Sequence, residues 1–359
     1  MSTGVLRRIG LAALLLLLPG CSPDTVASTI SDATSTTREA EITTTTADTG
    51  TTTTADGPVT ALLSPFSEMG PGWVEQVFPY GEGEEFLGTS PGGEGLMFGP
   101  EYGTQTADGT WWFLDAANLR IAHFDAEGTY LDQVVMPEDL LVDGIYFQYQ
   151  MPQALDDGTI VGTGWRSEET SALLRIEDGA ASGDTFDGTV AWVTTDGESL
   201  YGLPVEGNAP QRLDPDDPGA EPVDWFEARD GSRYLVTLAE DVISIELPDA
   251  ATPSTRTVQM RFSEDPSVIA RGSIEVETGE DGTLFILIYG VPISDEVVDI
   301  GGLVTIGPHG AVSETRPVVN LFSMSDTGSP AHLGVTPETS TPWIMVVGED
   351  GVHVHTRSG

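Results

Sequence analysis

A turn built on Asp-Gly and followed at once by a short apolar run recurs along the chain, and this repeat limits the possible folds more than any other feature. Five clear copies begin at Asp108, Asp157, Asp196, Asp230 and Asp281, with a weaker sixth turn at 337–341. The copies lie about 34 to 57 residues apart, near the roughly 40 to 50 residues of a four-stranded propeller blade. No helix-length stretch shows 3.6-residue periodicity. The sequence therefore predicts an all-β fold, a β-propeller of six four-stranded blades, with five or seven blades as the alternatives.

The two ends of the repeat region give a prediction about closure. The sixth unit offers strands near 331–336, 343–347 and 352–356, one fewer than a blade needs. A further apolar segment, 73–80, precedes the first unit. Pairing these amino- and carboxy-terminal strands would complete the last blade and remove exposed sheet edges. We expect one closed propeller domain spanning residues 58–359.

The first unit carries the clearest motif. Residues 109–131 contain a Gly, an apolar strand ending in Asp115, then Asn118, the pair Arg120-Ile121 and a Gly-closed hairpin at Gly128. This stretch resembles the NHL-type propeller repeat. The resemblance implies a β-propeller, and it covers about 23 residues.

The amino terminus has the features of an export signal. Arg7 and Arg8 precede an apolar stretch at 9–18, about half the roughly 20 residues that span a bilayer. The run Leu18-Pro19-Gly20-Cys21 resembles the lipobox of bacterial lipoproteins, and Cys21 is the one cysteine in the chain. The resemblance implies removal of residues 1–20 and a diacylglycerol on Cys21. We therefore expect a cell-membrane protein, lipid-anchored on the extracytoplasmic face.

The segment that follows the expected anchor differs sharply in composition. Of residues 22–57, 14 are Thr, and large apolar side chains are nearly absent. Such a segment buries too little apolar surface to offset the entropy of ordering. Residues 21–57 are predicted to be the anchor cysteine and a disordered tether.

The charge of the chain excludes some partners. It has 57 acidic residues against 14 basic ones, a formal net charge of −43. Nucleic acid is excluded as a partner because phosphate binding needs a basic surface. Such an acidic composition is typical of a salt-adapted or high-GC bacterium, such as an actinobacterium, and the alternative interpretation is a surface that binds cations or a cationic partner.

Motifs for chemistry were tested against their mechanisms. The string Gly88-x-Ser90-x-Gly92 fails as a nucleophile elbow, because Pro91 lacks the backbone N–H that an oxyanion hole needs. His353 and His355 alternate on a predicted strand and share a face, but the sequence identifies no third metal ligand beside them. The other three histidines, His123, His309 and His332, stand alone in the sequence. No catalytic residue, metal site or cofactor is predicted, and the ligand-binding residues are left unassigned.

Two hypotheses for function remain. The first is a monomeric, non-enzymatic binding or scaffold domain for an envelope protein or glycan. The second is a metal-dependent lactonase or related hydrolase with a cation in the central tunnel, similar to the gluconolactonase and regucalcin group. That group holds its ion on Glu, Asn and Asp side chains, and none of its site residues can be assigned to this sequence. The two hypotheses differ in whether carboxylate or amide oxygens converge on a cation at the axis.

Overall fold

The computed structural model describes residues 59–65, 72–91, 97–100, 102–136, 149–165, 170–188, 190–204, 209–214, 220–239, 241–249, 254–293, 300–308, 312–317 and 332–358. The chain divides into two units, Met1–Thr51 and Thr52–Gly359, and every described residue lies in the second. The predicted signal, Cys21 and the predicted tether all lie outside the described residues.

The described part is built from β-strands, with short 3-10 turns at Ala116–Asn118 and Pro337–Thr339. Within these residues no helix has the length and apolar character needed to cross a membrane. The strands, in chain order, are β1 (Val59–Pro65), β2 (Trp73–Pro79), β3 (Ser90–Pro91), β4 (Met97–Phe98), β5 (Gly103–Gln105), β6 (Trp111–Asp115), β7 (Arg120–Phe124), β8 (Tyr130–Val135), β9 (Tyr149–Ala154), β10 (Ile160–Trp165), β11 (Thr170–Glu177), β12 (Ala180–Asp187), β13 (Val190–Thr195), β14 (Leu200–Pro204), β15 (Gln211–Leu213), β16 (Ala220–Pro222), β17 (Phe226–Glu227), β18 (Arg233–Ala239), β19 (Val242–Leu247), β20 (Ser254–Phe262), β21 (Ala270–Thr278), β22 (Leu284–Pro292), β23 (Ile300–Ile306), β24 (Val312–Pro317), β25 (His332–Thr336), β26 (Thr341–Val347) and β27 (Gly351–Arg357).

The strands form a series of four-stranded antiparallel units. Three separate sheets contain β5 to β8, β9 to β12 and β13 to β16, and a fourth contains β25 to β27 with β2. A nine-stranded sheet contains two further runs of four, β17 to β20 and β21 to β24, with β1 between them. Consecutive strands pair with one another inside each run, which is the blade arrangement of a propeller. The all-β propeller fold predicted from the sequence is confirmed, whereas the count of six blades and a closed ring stay predictions.

The predicted pairing between the ends of the repeat region is present. β2 runs antiparallel to β27, from Trp73 opposite Arg357 to Pro79 opposite Gly351. Phe78 on β2 is buried in an aromatic cluster with Trp111, Phe113 and Phe124 of the first four-stranded sheet. One strand therefore links the last sheet of the chain to the core of the first.

The Asp-Gly turns precede the strands that the sequence predicted, β6, β10, β14, β18 and β22. In the first turn the Asp108 carboxylate accepts the N–H of Thr110 at 3.1 Å, and Gly109 takes a left-handed φ of 86°. The same contact, from the Asp carboxylate to the N–H two residues on, recurs at Asp157, Asp196, Asp230 and Asp281. Local hydrogen bonding thus fixes an Asp-Gly turn in five separate units.

The NHL-like motif folds around a buried ion pair. The Asp115 carboxylate accepts hydrogen bonds from Asn118 Nδ2 at 2.8 Å and from Arg120 Nε at 2.8 Å. The backbone N–H of Gly88 lies 3.2 Å from both carboxylate oxygens. A Cβ at position 88 would lie 2.3 Å from Asn118 Nδ2, so only glycine fits this contact. The motif ties the preceding loop to the first sheet, and the Gly-x-Ser-x-Gly string has a structural role at its first glycine.

The sequence did not predict the position of β1. Its first five residues pair parallel with β20, and its last two pair antiparallel with the start of β23. Ala61 and Leu63 are buried in the main hydrophobic core. β1 therefore joins two four-stranded runs into a single sheet.

The role of β2 can be tested by truncating its buried anchor. Phe78→Ala removes a fully buried ring from the aromatic cluster, so we expect the free energy of unfolding to fall by about 3 to 5 kcal/mol in urea titrations. Val74→Ala on the same strand is the control, because Val74 is 59% exposed and its truncation should cost about 0.5 kcal/mol or less. Equal effects of the two substitutions would contradict the anchoring role.

Candidate functional site

The first strands of five four-stranded units adjoin one another. β5 contacts β9 and β25, β9 contacts β13, and β21 contacts β13 and β25. Buried polar side chains lie on these strands, among them Gln153, Thr194, Glu275, Glu277 and His332. A polar interior is therefore enclosed between inner strands whose outer neighbours are apolar.

A recess opens into this interior. Its volume is about 300 Å³ when the solvent at its mouth is included, and its enclosed part is close to the size of one water molecule. Gln153, Glu277 and His332 are among the side chains that line it, together with Trp343 and Arg229. We call this space the axial recess.

The sequence of β21 explains how two carboxyl groups reach the interior. Successive residues of a strand point to opposite faces. Val276 packs in the main hydrophobic core, and Ile274 does the same. Glu275 and Glu277 alternate with them and contact side chains of β25 and β9 instead. The alternation buries both glutamates, which are 2% and 6% exposed.

Glu277 is a buried acid with a perturbed pKa. Its Oε1 accepts a hydrogen bond from Gln153 Nε2 at 2.6 Å. Burial away from water raises the pKa of Glu277 to about 8, although the Gln153 hydrogen bond and the charge of Arg229 act in the opposite direction. At neutral pH most of the protein therefore carries a protonated Glu277, which can donate as well as accept a hydrogen bond.

Glu275 holds His332 in place. One carboxylate oxygen, Oε2, accepts the backbone N–H of Leu333 at 2.7 Å and lies 3.2 Å from His332 Nδ1. The His332 ring also packs edge-on against Tyr102 and Trp343, with centroids 5.5 and 5.6 Å away. The other oxygen of Glu275, Oε1, is buried and has no hydrogen-bond partner among the residues that the structure describes. The imidazole is thus fixed from two sides, beside an acceptor whose hydrogen-bonding capacity is unused.

Arg229 lies on an Asp-Gly turn and joins the turns at one end of the recess. Its Nη2 donates to the carbonyl of Ala154 at 2.9 Å, and its Nη1 pairs with Asp156 and lies 3.7 Å from Glu280. The Arg229 side chain is only 6% exposed. A buried guanidinium therefore places positive charge beside the carboxyl groups of the recess.

These residues were not identified from the sequence. His332 stands alone there, and its partner Glu275 is 57 positions away. A usable signal was the alternation of Glu275 and Glu277 with the apolar residues Ile274 and Val276. As the side chains stand, the described residues contain no group of three or more His, Cys, Asp or Glu that could hold a metal ion. The hydrolase hypothesis gains no ligand set from them and stays a prediction.

The two histidines singled out from the sequence lie elsewhere. His353 and His355 are on β27, and both approach Glu75 of β2, at 2.8 and 3.8 Å. Their shared face is confirmed. They form a separate cluster on the β2–β27 pair.

Comparison with known families gives one match that covers most of the chain. Residues 71–357 match the family described as "Domain of unknown function (DUF7485)". The chain belongs to this family. The match spans the strands from β2 to β27, so the DUF7485 domain contains the axial recess and the β2–β27 pair. No protein with a curated description matches the sequence.

Solved structures similar to this DUF7485 chain have low sequence identity. Virginiamycin B lyase from Staphylococcus aureus is 12% identical, with a TM-score of 0.44, 79% of this chain covered and 99% of the other. Hydrazine synthase from Kuenenia stuttgartiensis is 13% identical, with a TM-score of 0.44 and coverages of 74% and 77%. The β-propeller domain of Cps50 (Swd1) from Myceliophteria thermophila is 10% identical, with a TM-score of 0.40 and coverages of 73% and 83%. No activity is transferred from similarities at this level.

The pKa of Glu277 predicts how stability depends on pH. The folded state holds this proton more tightly than the unfolded chain, whose glutamate pKa is near 4.5. This contribution to stability is complete below pH 4.5 and is lost as the pH rises to about 8. Glu277→Gln cannot ionise, so from pH 6 to pH 8 it should gain on the order of 2 kcal/mol in free energy of unfolding relative to the wild type.

Urea titrations at a series of pH values measure this difference. Glu246→Gln on β19 is the matched control, because Glu246 is exposed and should follow the wild-type pH profile. If Glu277→Gln also followed the wild-type profile, Glu277 would be ionised at neutral pH and the assignment would be wrong.

Proposed function

We propose that this protein is a binding domain of the bacterial cell envelope, with the axial recess as its ligand site. On this proposal a lipid on Cys21 anchors the chain outside the cytoplasmic membrane, and residues 22–57 hold the domain away from the bilayer. The partner is an envelope protein or glycan that inserts one small polar group into the recess.

The observation that carries the proposal is the convergence of buried polar groups around a very small space. Gln153, Glu277 and His332 come from three different strands and line the recess together. Buried polar groups are costly unless they are satisfied. Because burying these polar groups is costly, their convergence favours a site that recognises one hydroxyl, amide or ammonium group. The enclosed part of the recess has no room for a whole substrate.

The chemistry of the recess fits a ligand with both donor and acceptor character. The protonated carboxyl group of Glu277 can donate, and the amide oxygen of Gln153, which also lines the recess, can accept. Sugar hydroxyls and backbone amides both provide such groups. The competing hydrolase hypothesis requires a bound cation at the central axis of the propeller, where the recess lies. Substitutions of the residues that line the recess therefore test both hypotheses.

Ligand binding can be measured on isolated cell envelopes from a bacterium that encodes the chain. We expect the purified full chain to be retained on the envelopes, and Glu277→Leu to weaken retention about tenfold because it removes both the donor and the acceptor of the carboxyl group. Glu246→Gln should bind like the wild type. Digesting the envelopes with protease or with a glycan hydrolase before the assay separates a protein partner from a glycan.

Two results would contradict this part of the proposal. If the wild-type protein were not retained even on undigested envelopes, the chain would not be an envelope-binding domain. Retention of Glu277→Leu at the wild-type level would show that binding occurs at a surface other than the axial recess.

The anchor has a separate test. In cells fed radiolabelled fatty acid, the wild-type chain should carry label and sediment with membranes, whereas Cys21→Ser should be unlabelled and should be found in the soluble extracytoplasmic fraction. A wild-type chain without label would overturn the lipid anchor while leaving the ligand site in place.

A further inference from the structure

The outer face of the β2–β27 pair carries a cluster of two histidines and two carboxylates. His353 and His355 are two residues apart on β27, and Glu75 lies directly opposite His355 in the register of the pair. Glu75 Oε1 lies 2.8 Å from His353 Nδ1 and 3.8 Å from His355 Nε2. One nitrogen from each ring therefore approaches the same carboxylate oxygen.

The fourth group of the cluster orients His353. Asp350 Oδ1 lies 2.8 Å from His353 Nε2, on the side of the ring away from Glu75. Histidines that bind metals commonly have one ring nitrogen held by a carboxylate, so that the other nitrogen faces the ion. Asp350 places His353 Nδ1 in this way toward Glu75 and His355.

The spacing of these donor atoms is near that of a zinc site. With zinc–nitrogen and zinc–oxygen bonds of roughly 2.0 to 2.1 Å in tetrahedral geometry, ligand atoms lie about 3.3 Å apart. The observed separations of 2.8 and 3.8 Å fall on either side of that value. As the side chains stand, this cluster is not a group that could hold a metal ion, so binding requires the His355 and Glu75 side chains to rotate until the two separations are similar.

We propose that His353 Nδ1, His355 Nε2 and a Glu75 carboxylate oxygen bind one Zn²⁺ ion, with Asp350 as a positioning residue. The ion displaces any proton shared between His353 and Glu75 and leaves a coordination position for water. Glu75 supplies the third ligand that the sequence alone did not identify beside the two histidines. The bound ion links β2 to β27 through side chains as well as through backbone hydrogen bonds.

Access and charge both favour this site. The side chains of Glu75 and His353 are 51% and 21% exposed and that of His355 is 10% exposed, so an ion reaches the cluster from the side of Glu75. The net charge of −43 raises the local concentration of cations around the domain. Two imidazole nitrogens select zinc over Ca²⁺ and Mg²⁺, which prefer oxygen ligands.

Zinc titration by calorimetry tests the proposal on the full chain bearing Cys21→Ser, purified without a histidine tag so that no other thiol or tag binds zinc. We expect one Zn²⁺ per chain and no comparable binding of Ca²⁺. Saturating zinc should raise the Tm by about 5 °C relative to EDTA. Glu75→Gln and His355→Gln should each weaken zinc binding at least tenfold.

His123→Gln is the matched control. His123 Nδ1 lies 2.9 Å from Asp132 on a neighbouring strand. This histidine–carboxylate pair resembles the His353–Glu75 pair but lacks a second histidine. Its zinc affinity should stay within twofold of the parent chain. Asp350→Asn should lower the affinity about tenfold while leaving the Tm in EDTA unchanged, as expected for a residue that acts through His353.

The proposal is overturned if the parent chain binds no zinc, or if both Glu75→Gln and His355→Gln bind it as tightly as the parent. Circular dichroism in EDTA shows whether each variant is folded. Because Glu75 is half exposed, its variant provides the test even if His355→Gln does not fold.

Discussion

The pairing of β2 with β27 is the constraint on which the rest of the described domain depends. β27 would otherwise be an unpaired edge, and β2 also brings Phe78 into the aromatic core of the first four-stranded sheet. Through this strand the first and last units of the chain share one hydrophobic cluster. Residues that are distant in sequence then meet, including Gln153 with Glu277 and Thr336 with Gln105. The axial recess exists because these inner strands are held side by side.

Features with local physical causes could be predicted from the sequence. The Asp-Gly turns depend on a carboxylate that accepts an N–H two residues away and on a glycine with positive φ, so they located β6, β10, β14, β18 and β22. Short apolar runs gave the strands of the last unit. β1 was missed because its parallel pairing with β20 depends on residues almost 200 positions away. Asp115 was identified from the sequence as part of the NHL-like motif, and the structure adds its buried contact with Arg120.

The candidate site could not be predicted for the same reason. Glu275 and Glu277 are ordinary acids in a sequence with 57 of them, and their unusual environment arises only when β21 lies against β13 and β25. Burial separates Glu277 from the many exposed carboxylates, because it raises the pKa to about 8. Both glutamates lie within residues 71–357, the region that matches the DUF7485 family. The chemistry of the recess, and not similarity to solved propellers, is therefore the basis of the functional proposal.

A direct titration of the glutamate side chains would test the central claim, that the inner strands enclose a protonated carboxyl group in a recess built for recognition. Carbon-13 NMR of the full chain labelled at glutamate Cδ follows the carboxyl resonances across the pH range. The account predicts one glutamate that titrates near pH 8 and whose signal is missing in Glu277→Gln. Titration of every glutamate below about pH 5, as for exposed carboxylates, would contradict it.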